Sequence, residues 1–284
     1  NFKETYMKKI LDISQDNYFK LPFLSRTAIK DFSSKGAWTY YHQYVAKELE
    51  PPKASDAMRI GSALHAIVCP DVLIEDVIAV MPEYIDLGGH QPEKLNRRLK
   101  AHREFILGWQ ELNENKIHLS PNEMEAVIQM RDSVRDNPAI KPWMERLTKK
   151  RSEVVATNLV NGMKCKAMCD ADFSDEDIII DFKTTRQHLG SEFIKDALWK
   201  FGYQYQAAHY CDVFECKRFL IVAIRNFPPF ESMVFEIPET FIGQARLINY
   251  QTIDRIKWCH DMDQWHSDGW GQIINMEDVV ENDN

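Results

Sequence analysis

Residues 169–185 read CDADFSDEDIIIDFKTT, and this stretch decides the fold. Its apolar run, Ile178-Ile179-Ile180, is short and β-branched, as expected of a strand in the middle of a sheet. Alternate residues of a strand share a face, so Asp181 and Lys183 project to one side while Ile180 and Phe182 enter the core. Asp170 lies eleven residues before Asp181. A tight turn at Ser174–Glu176 makes a hairpin of the two stretches and sets Asp170 beside Asp181. Paired carboxylates on neighbouring strands form a hard-oxygen site suited to Mg²⁺ or Mn²⁺. Without a cation they repel, and one takes up a proton. Lys183, on the same face, offsets that charge. D-x-K alone more often marks a salt-bridged strand face in solvent; the upstream Asp170, the isoleucines and Thr184-Thr185 make the pattern much rarer.

Working outward, residues 153–160 and 163–173 alternate as strands across Asn161-Gly162, a hairpin turn whose residues tolerate positive φ. RFLIVAI at 218–224 and SMVFEI at 232–237 predict two further strands. Helices are predicted over 191–201 and 203–214, broken at Gly202, and from Pro238 to Trp265, with the tail ENDN frayed. Upstream, the first fifty residues read as helical. Ser25 is their N-cap, Phe32 and Trp38 supply apolar mass, and Pro51-Pro52 ends the run. A helix from Ser55 to Pro70 carries MRIGSALHAIV, residues 74–80 read as a short strand, and a polar helix covers 92–115. Ser120-Pro121 opens another helix, with Glu123 placed for a capping box, ending near Asn137-Pro138.

The 284 residues are 44% hydrophobic and 27% charged, which excludes collagen-like, low-complexity and globally disordered chains. No apolar run approaches the roughly 18–20 residues of a membrane span, and no charged-then-apolar leader is present. We therefore expect a cytoplasmic protein, with a piece trimmed before Asn1. The six cysteines (69, 165, 169, 211, 216 and 259) lack C-x-x-C spacing, so they read as reduced core residues rather than zinc or iron–sulfur ligands. A net charge of −8 argues against a protein that coats nucleic acid. It leaves open an enzyme whose basic residues line a confined cleft.

The order D-(x10)-D-x-K, flanked by helices, resembles the PD-(D/E)XK nuclease superfamily, and more closely its RecE-like exodeoxyribonucleases. GSALHAIV at 61–68 resembles the family's histidine-bearing helix, DFKTT at 181–185 its D-x-K-T-T, and YQYQAAHYCD at 203–212 its Q-x-x-x-Y helix. LSRTAIKDF resembles its opening helix. One departure is Cys169, which stands where the family often has Pro. The resemblance implies an α/β PD-(D/E)XK nuclease fold: a small mixed sheet flanked by helices, with additional N- and C-terminal helices. It implies one nuclease domain over 1–284, with a mostly helical part at 1–150, a catalytic sheet core at 151–237, and a C-terminal helix and tail at 238–284.

It further implies that His65, Asp170, Asp181 and the Phe182 carbonyl hold Mg²⁺ (Mn²⁺ substituting), as two ions. Lys183 would orient or deprotonate the attacking water, while Gln206 and Tyr210 position the lysine or the DNA. Thr184, Thr185, Arg186 and Arg59 are candidate phosphate contacts, and Glu153 a candidate supporting carboxylate. The activity implied is 5′→3′ digestion of linear duplex DNA from its ends, leaving a 3′ overhang for recombination. A homo-oligomer, with a ring as its implied form, and a single-strand annealing partner are implied too, in a bacterial or phage-infected cell. Two rival readings are an endonuclease with the same site and a catalytically silent DNA-binding scaffold. A helicase–nuclease with an iron–sulfur cluster fits poorly, because the cysteines are wrongly spaced.

Overall fold

The computed structural model describes residues 8–49, 56–88, 91–266 and 270–271. In chain order the elements are β1 (Lys9–Leu11), α1 (Gln15–Lys20), α2 (Arg26–Tyr40), α3 (Asp56–Val68), α4 (Ile74–Val77), β2 (Ile78–Val80), β3 (Tyr84–Ile85), β4 (Glu93–Lys94), α5 (Lys100–Leu112), β5 (Ile117–Leu119), α6 (Pro121–Asp136) and α7 (Lys141–Met144). The second half carries β6 (Ser152–Val160), β7 (Met163–Phe173), β8 (Ile178–Thr185), α8 (Ser191–Lys195), α9 (Tyr203–Phe214), β9 (Arg218–Arg225), β10 (Ser232–Glu236) and α10 (Glu239–Met262).

The main sheet has the order β1-β6-β7-β8-β9-β10. Only β8 and β9 run parallel, because α8 and α9 carry the chain back across one face between them. Asn161 (φ 48°) and Gly162 (φ 79°) turn β6 into β7, and a single helical turn at Ser174–Glu176 joins β7 to β8. Helices cover both faces. One core packs α2, α9 and α10 against Ile179, Ile221 and Ala223, and the other packs α3 and α6 against Ile178, Ile180, Phe182 and Val222. Ile179, Ile180 and Phe182 are at most 1% exposed. Burying each contributes about 2–3 kcal/mol relative to leaving it in water, which fixes which face of β8 Asp181 and Lys183 must share. The mixed α/β architecture with a helix-flanked sheet is the one expected.

The caps follow the sequence closely. Ser25 accepts the Ala28 amide at 3.2 Å, and Ser120 with Glu123 closes both arms of a capping box. Four expectations are corrected. Residues 8–21 are not all helix, since β1 adds an edge strand on β6 before α1 begins. The expected strand at 74–80 is half helical turn and half strand. The helix expected at 92–115 is only α5, preceded by the small β3–β4 hairpin, because His102 folds back to accept the Asn96 amide at 2.9 Å. Trp38 is 43% exposed and stacks on His266 rather than filling the core. The stop at Pro51-Pro52, the helix start at Ser55 and the ENDN tail lie outside the described residues. All six cysteines are free and buried. Among the described residues no helix is long and apolar enough to cross a membrane.

Candidate active site

The site forms where β7 and β8 separate. Their ladder runs Phe173↔Ile178, Asp172↔Ile179 and Ala171↔Ile180 and then stops. Beyond it the Phe182 amide donates to the Asp170 carboxylate (2.7 Å) instead of to backbone. Side-chain alternation of β7 also slips here. Cys165, Ala167 and Cys169 enter the α9 core, whereas Ala171 and Phe173 enter the α3 core. Opposite the slip, Glu153 of β6 adopts φ 51°, a left-handed conformation that costs a non-glycine residue about 1–2 kcal/mol. The kink lets Asp170 serve α3 while Asp181 serves α9.

On α3, Leu64, Ile67 and Val68 are buried at the i, i+3 and i+4 spacing, leaving His65 on the flank that meets the strands. Its Nε2 lies 3.0 Å from the Phe182 carbonyl and its Nδ1 3.3 Å from Asp170 Oδ1. On α9, Ala207, Ala208, Cys211 and Phe214 face the core, and Gln206 and Tyr203 stand on the adjoining flank. Gln206 donates to Asp181 Oδ1 at 2.7 Å. The Lys183 ammonium sits 2.6 Å from Asp181 Oδ2 and 5.4 Å over the Tyr203 ring. Gly202 (φ 67°) breaks the preceding helix and starts α9 in this phase.

The charges balance in pairs. Burial alone would lower His65, but the Asp170 charge and hydrogen bond raise it to about 8. An imidazolium can donate from both nitrogens, which is what its two acceptors require. Burial would raise Asp170, yet His65, Lys183 and the Phe182 amide hold it below the ordinary carboxylate range. Asp181 is 3% exposed, and burial lifts it above that range against the pull of Lys183. Lys183 itself, despite burial, is raised to about 12 by Asp181 and Asp170. Two cations thus neutralise two carboxylates, as the D-x-K pattern with an upstream Asp requires.

The family model for a PDDEXK-like domain of unknown function, DUF3799, matches residues 25–271, and so spans every element from α2 to α10. The chain belongs to this PDDEXK-like family. A solved structure from Eubacterium rectale, provisionally named an exonuclease, superposes with a TM-score of 0.59 at 13% identity, covering 89% of this chain and 88% of its own. At that identity the likeness concerns the fold. Rai1 of Scheffersomyces stipitis, solved with (3′-NADP)⁺ and calcium, is 10% identical over 79% of this chain and 64% of its own. Its TM-score of 0.29 carries no argument. No curated protein matches the chain. Family and fold together support a nuclease.

Within this PDDEXK-like site the donors fit a divalent cation. Asp181 Oδ2 is buried and accepts no well-directed hydrogen bond, and Asp170, the Phe182 carbonyl and His65 add two hard oxygens and an imidazole. As placed, no group of three His, Cys, Asp or Glu converges to metal distance among the described residues. The His65 proton and the Lys183 ammonium hold the positions that a cation would compete for. His65, Asp170, Asp181 and the Phe182 carbonyl are the residues that would hold it.

The remaining candidates divide. Glu153 is exposed and lines a cleft of about 230 Å³ with His65, Asp170, Gln15 and Ser62. Crowding by its surroundings and the charge of Asp170 raise its carboxyl. Tyr210 is one turn beyond Gln206 and packs edge-on against Phe219 (5.9 Å). The Thr185 hydroxyl accepts the Gln187 amide in a local turn, and Arg186 is exposed beyond it. Thr184 Oγ1 faces α3, 3.5 Å from where a Cβ at Gly61 would lie. That is an ordinary contact, so bulk does not demand the glycine. Arg59 turns away from the cleft, forking onto Glu123 (2.6 and 3.2 Å) and the His118 carbonyl (2.6 Å). Sequence reasoning missed Tyr203 as a neighbour of Lys183. Its position three residues before Gln206, on the same helical flank, was the available signal.

Proposed function

We propose that this chain is a divalent-metal-dependent deoxyribonuclease that digests linear duplex DNA from its ends, 5′→3′, leaving a 3′ overhang. The observation that carries the hydrolytic reading is the Asp170–His65 and Asp181–Lys183 pairing, with Asp181 buried and the other three partly exposed, whose four members meet where two strands part. A structural ion-pair cluster has no need of a carboxylate replacing a ladder hydrogen bond, nor of a strained residue opposite it. Direction, end preference and recombination come from the resemblance to RecE-like exodeoxyribonucleases. So do a homo-oligomeric assembly and a single-strand annealing partner.

When bound, a divalent cation such as Mg²⁺ polarises the phosphodiester and acidifies a water. Asp170 and Asp181 supply the negative charge that retains it, and His65, once deprotonated, presents a nitrogen. Freed from Asp181, the Lys183 ammonium is placed to orient the attacking water and to offset charge developing on the phosphoryl oxygens. Gln206 holds Asp181 Oδ1, so the carboxylate keeps its orientation when Lys183 moves.

The test is incubation with Mg²⁺ of 5′-phosphorylated linear duplex and of the same DNA as a closed circle, with EDTA and Lys183→Ala as controls. Shortening of the linear DNA from its 5′ ends, with the circle intact and both controls inactive, is the expected result. Nicking of the circle would replace the exonuclease reading with an endonuclease at the same site. No change in either DNA with Mg²⁺ or Mn²⁺ would leave only a scaffold.

A further inference from the structure

β3, β4 and α5 are inserted in the chain between β2 and β5, and both ends of this excursion border the cleft that holds His65 and Asp170. Val77 precedes β2, and Asn115 and Ile117 bracket the return. All three line the same cleft as His65 and Asp170. The two strands pair in parallel, Ile78 with Ile117 and Val80 with Leu119, so departure and return are fixed relative to each other.

Within the excursion, residues 93–104 read EKLNRRLKAHRE. Lys94, Arg97, Arg98, Lys100 and Arg103 stand there against only Glu93 and Glu104, in a chain with 35 basic and 43 acidic residues overall. All five cations are exposed. The turn that carries them is built rather than loose. His102, 2% exposed, accepts the Asn96 amide at Nδ1 (2.9 Å), and its Nε2 lies 3.4 Å from Glu93. Asn96 Oδ1 accepts the Arg98 amide (3.0 Å), Leu95 donates to the Glu83 carbonyl (2.8 Å), and the Arg103 guanidinium donates to the Arg98 carbonyl (3.1 Å). Lys94 and Lys100 have carboxylate partners in Glu83 and Glu104. Arg97 and Arg98 have none among the described residues, although carboxylates outnumber cations in the chain. Paired guanidinium forks on a fixed, exposed turn are what phosphate oxygens select.

We infer that residues 93–104 form a phosphate-gripping arm that holds duplex DNA beyond the point of cleavage, chiefly through Arg97 and Arg98. This inference rests on the nuclease reading above. It also answers the charge question, because an acidic protein can hold DNA where its cations are gathered on one arm. Scale supports it. The 13 residues of α5, which connects the Arg97-Arg98 turn to the cleft-lining Asn115, make a helix about 20 Å long, the length of roughly six base pairs of B-form duplex.

The experiment uses the whole chain with Arg97→Ala/Arg98→Ala. Binding of a fluorescein-labelled duplex of about 30 base pairs is followed by anisotropy across a salt series, in a Lys183→Ala background that cannot cut. Hydrolysis of bis(p-nitrophenyl) phosphate with Mn²⁺ is measured separately, with Lys183 intact. Losing two phosphate contacts should lower the slope of log affinity against log salt by about 1.8 and weaken binding about tenfold at moderate salt. Hydrolysis of the small ester should not change. Wild-type affinity and slope in the double variant would overturn the arm. If the unmutated protein neither binds duplex nor hydrolyses the ester, the nuclease reading itself fails. A variant that loses ester hydrolysis as well as binding would also refute the arm, because the turn would then be supporting the catalytic site.

Discussion

Replacing Lys183 with Met keeps the aliphatic stem and removes the charge that faces Asp181. In the wild type, Asp181 is 3% exposed, Gln206 satisfies Oδ1, and the ammonium at 2.6 Å is the cation at Oδ2. Breaking a buried ion pair from one side costs about 3–5 kcal/mol. Lys183 is 24% exposed and Gln206 remains, so the lower end applies, about 3 kcal/mol. For a chain of this size that lowers Tm by about 6 °C in metal-free buffer. The partner substitution supplies the control. Asp181→Asn/Lys183→Met removes the stranded carboxylate and should recover most of the loss. Millimolar Mg²⁺ should raise the Tm of Lys183→Met more than that of the wild type, because the cation no longer competes with the ammonium. Differential scanning fluorimetry with EDTA and with Mg²⁺ reads all three. A Lys183→Met protein melting within about 1 °C of wild type, or one that Asp181→Asn fails to rescue, would refute the pairing as the source of neutralisation.

His209 is 1% exposed, and burial lowers it to about 4. The folded state therefore binds fewer protons than the unfolded chain between pH 4 and 6.5, so stability is complete above about 6.5 and falls below it, by about 3 kcal/mol in all. His209→Gln should flatten that part of a Tm–pH profile; an unchanged slope would refute the assignment. Arg59→Ala should lower stability by about 1–2 kcal/mol through the lost Glu123 fork, while the salt dependence of DNA binding stays the same. A reduced salt slope would restore Arg59 as a phosphate contact. Glu153→Gly relieves the left-handed φ and should leave stability equal or higher by up to about 1 kcal/mol. Weaker Mn²⁺ binding in that variant, measured by titration calorimetry, would support the carboxylate's role, and unchanged binding would remove it.

The hairpin that carries Asp170 and Asp181 was legible because its signals are local. Asn161-Gly162, the isoleucine run and Gly202 each fix the chain through their own conformational limits. The capping box at Ser120 and Glu123 is local in the same sense. Elements set by distant partners were harder to read. β1 is a strand because β6 offers an edge, and the fold-back of His102 onto Asn96 shortens α5. Trp38 looked like core on apolar grounds alone, but besides its neighbours Tyr41 and His42 it stacks on His266 and Trp270, more than two hundred residues away. At the site, residue types and spacing pointed to His65, Asp170, Asp181 and Lys183, and the structure brings these four together. The slip of β7 at Asp170 and the strain at Glu153 were not legible, because they arise where β6 and β7 pair, not from either segment alone. Arg59 shares the helix of His65, yet its side chain answers to Glu123, sixty-four residues on.

The metal centre is tested most directly by titrating Mn²⁺ into the metal-free protein and following the bound ion by electron paramagnetic resonance. Saturable binding in the wild type, abolished in Asp170→Asn and Asp181→Asn and weakened in His65→Ala, is the expected result. Binding that survives all three substitutions, or no saturable binding even with duplex DNA present, would contradict a catalytic metal at the parting of β7 and β8.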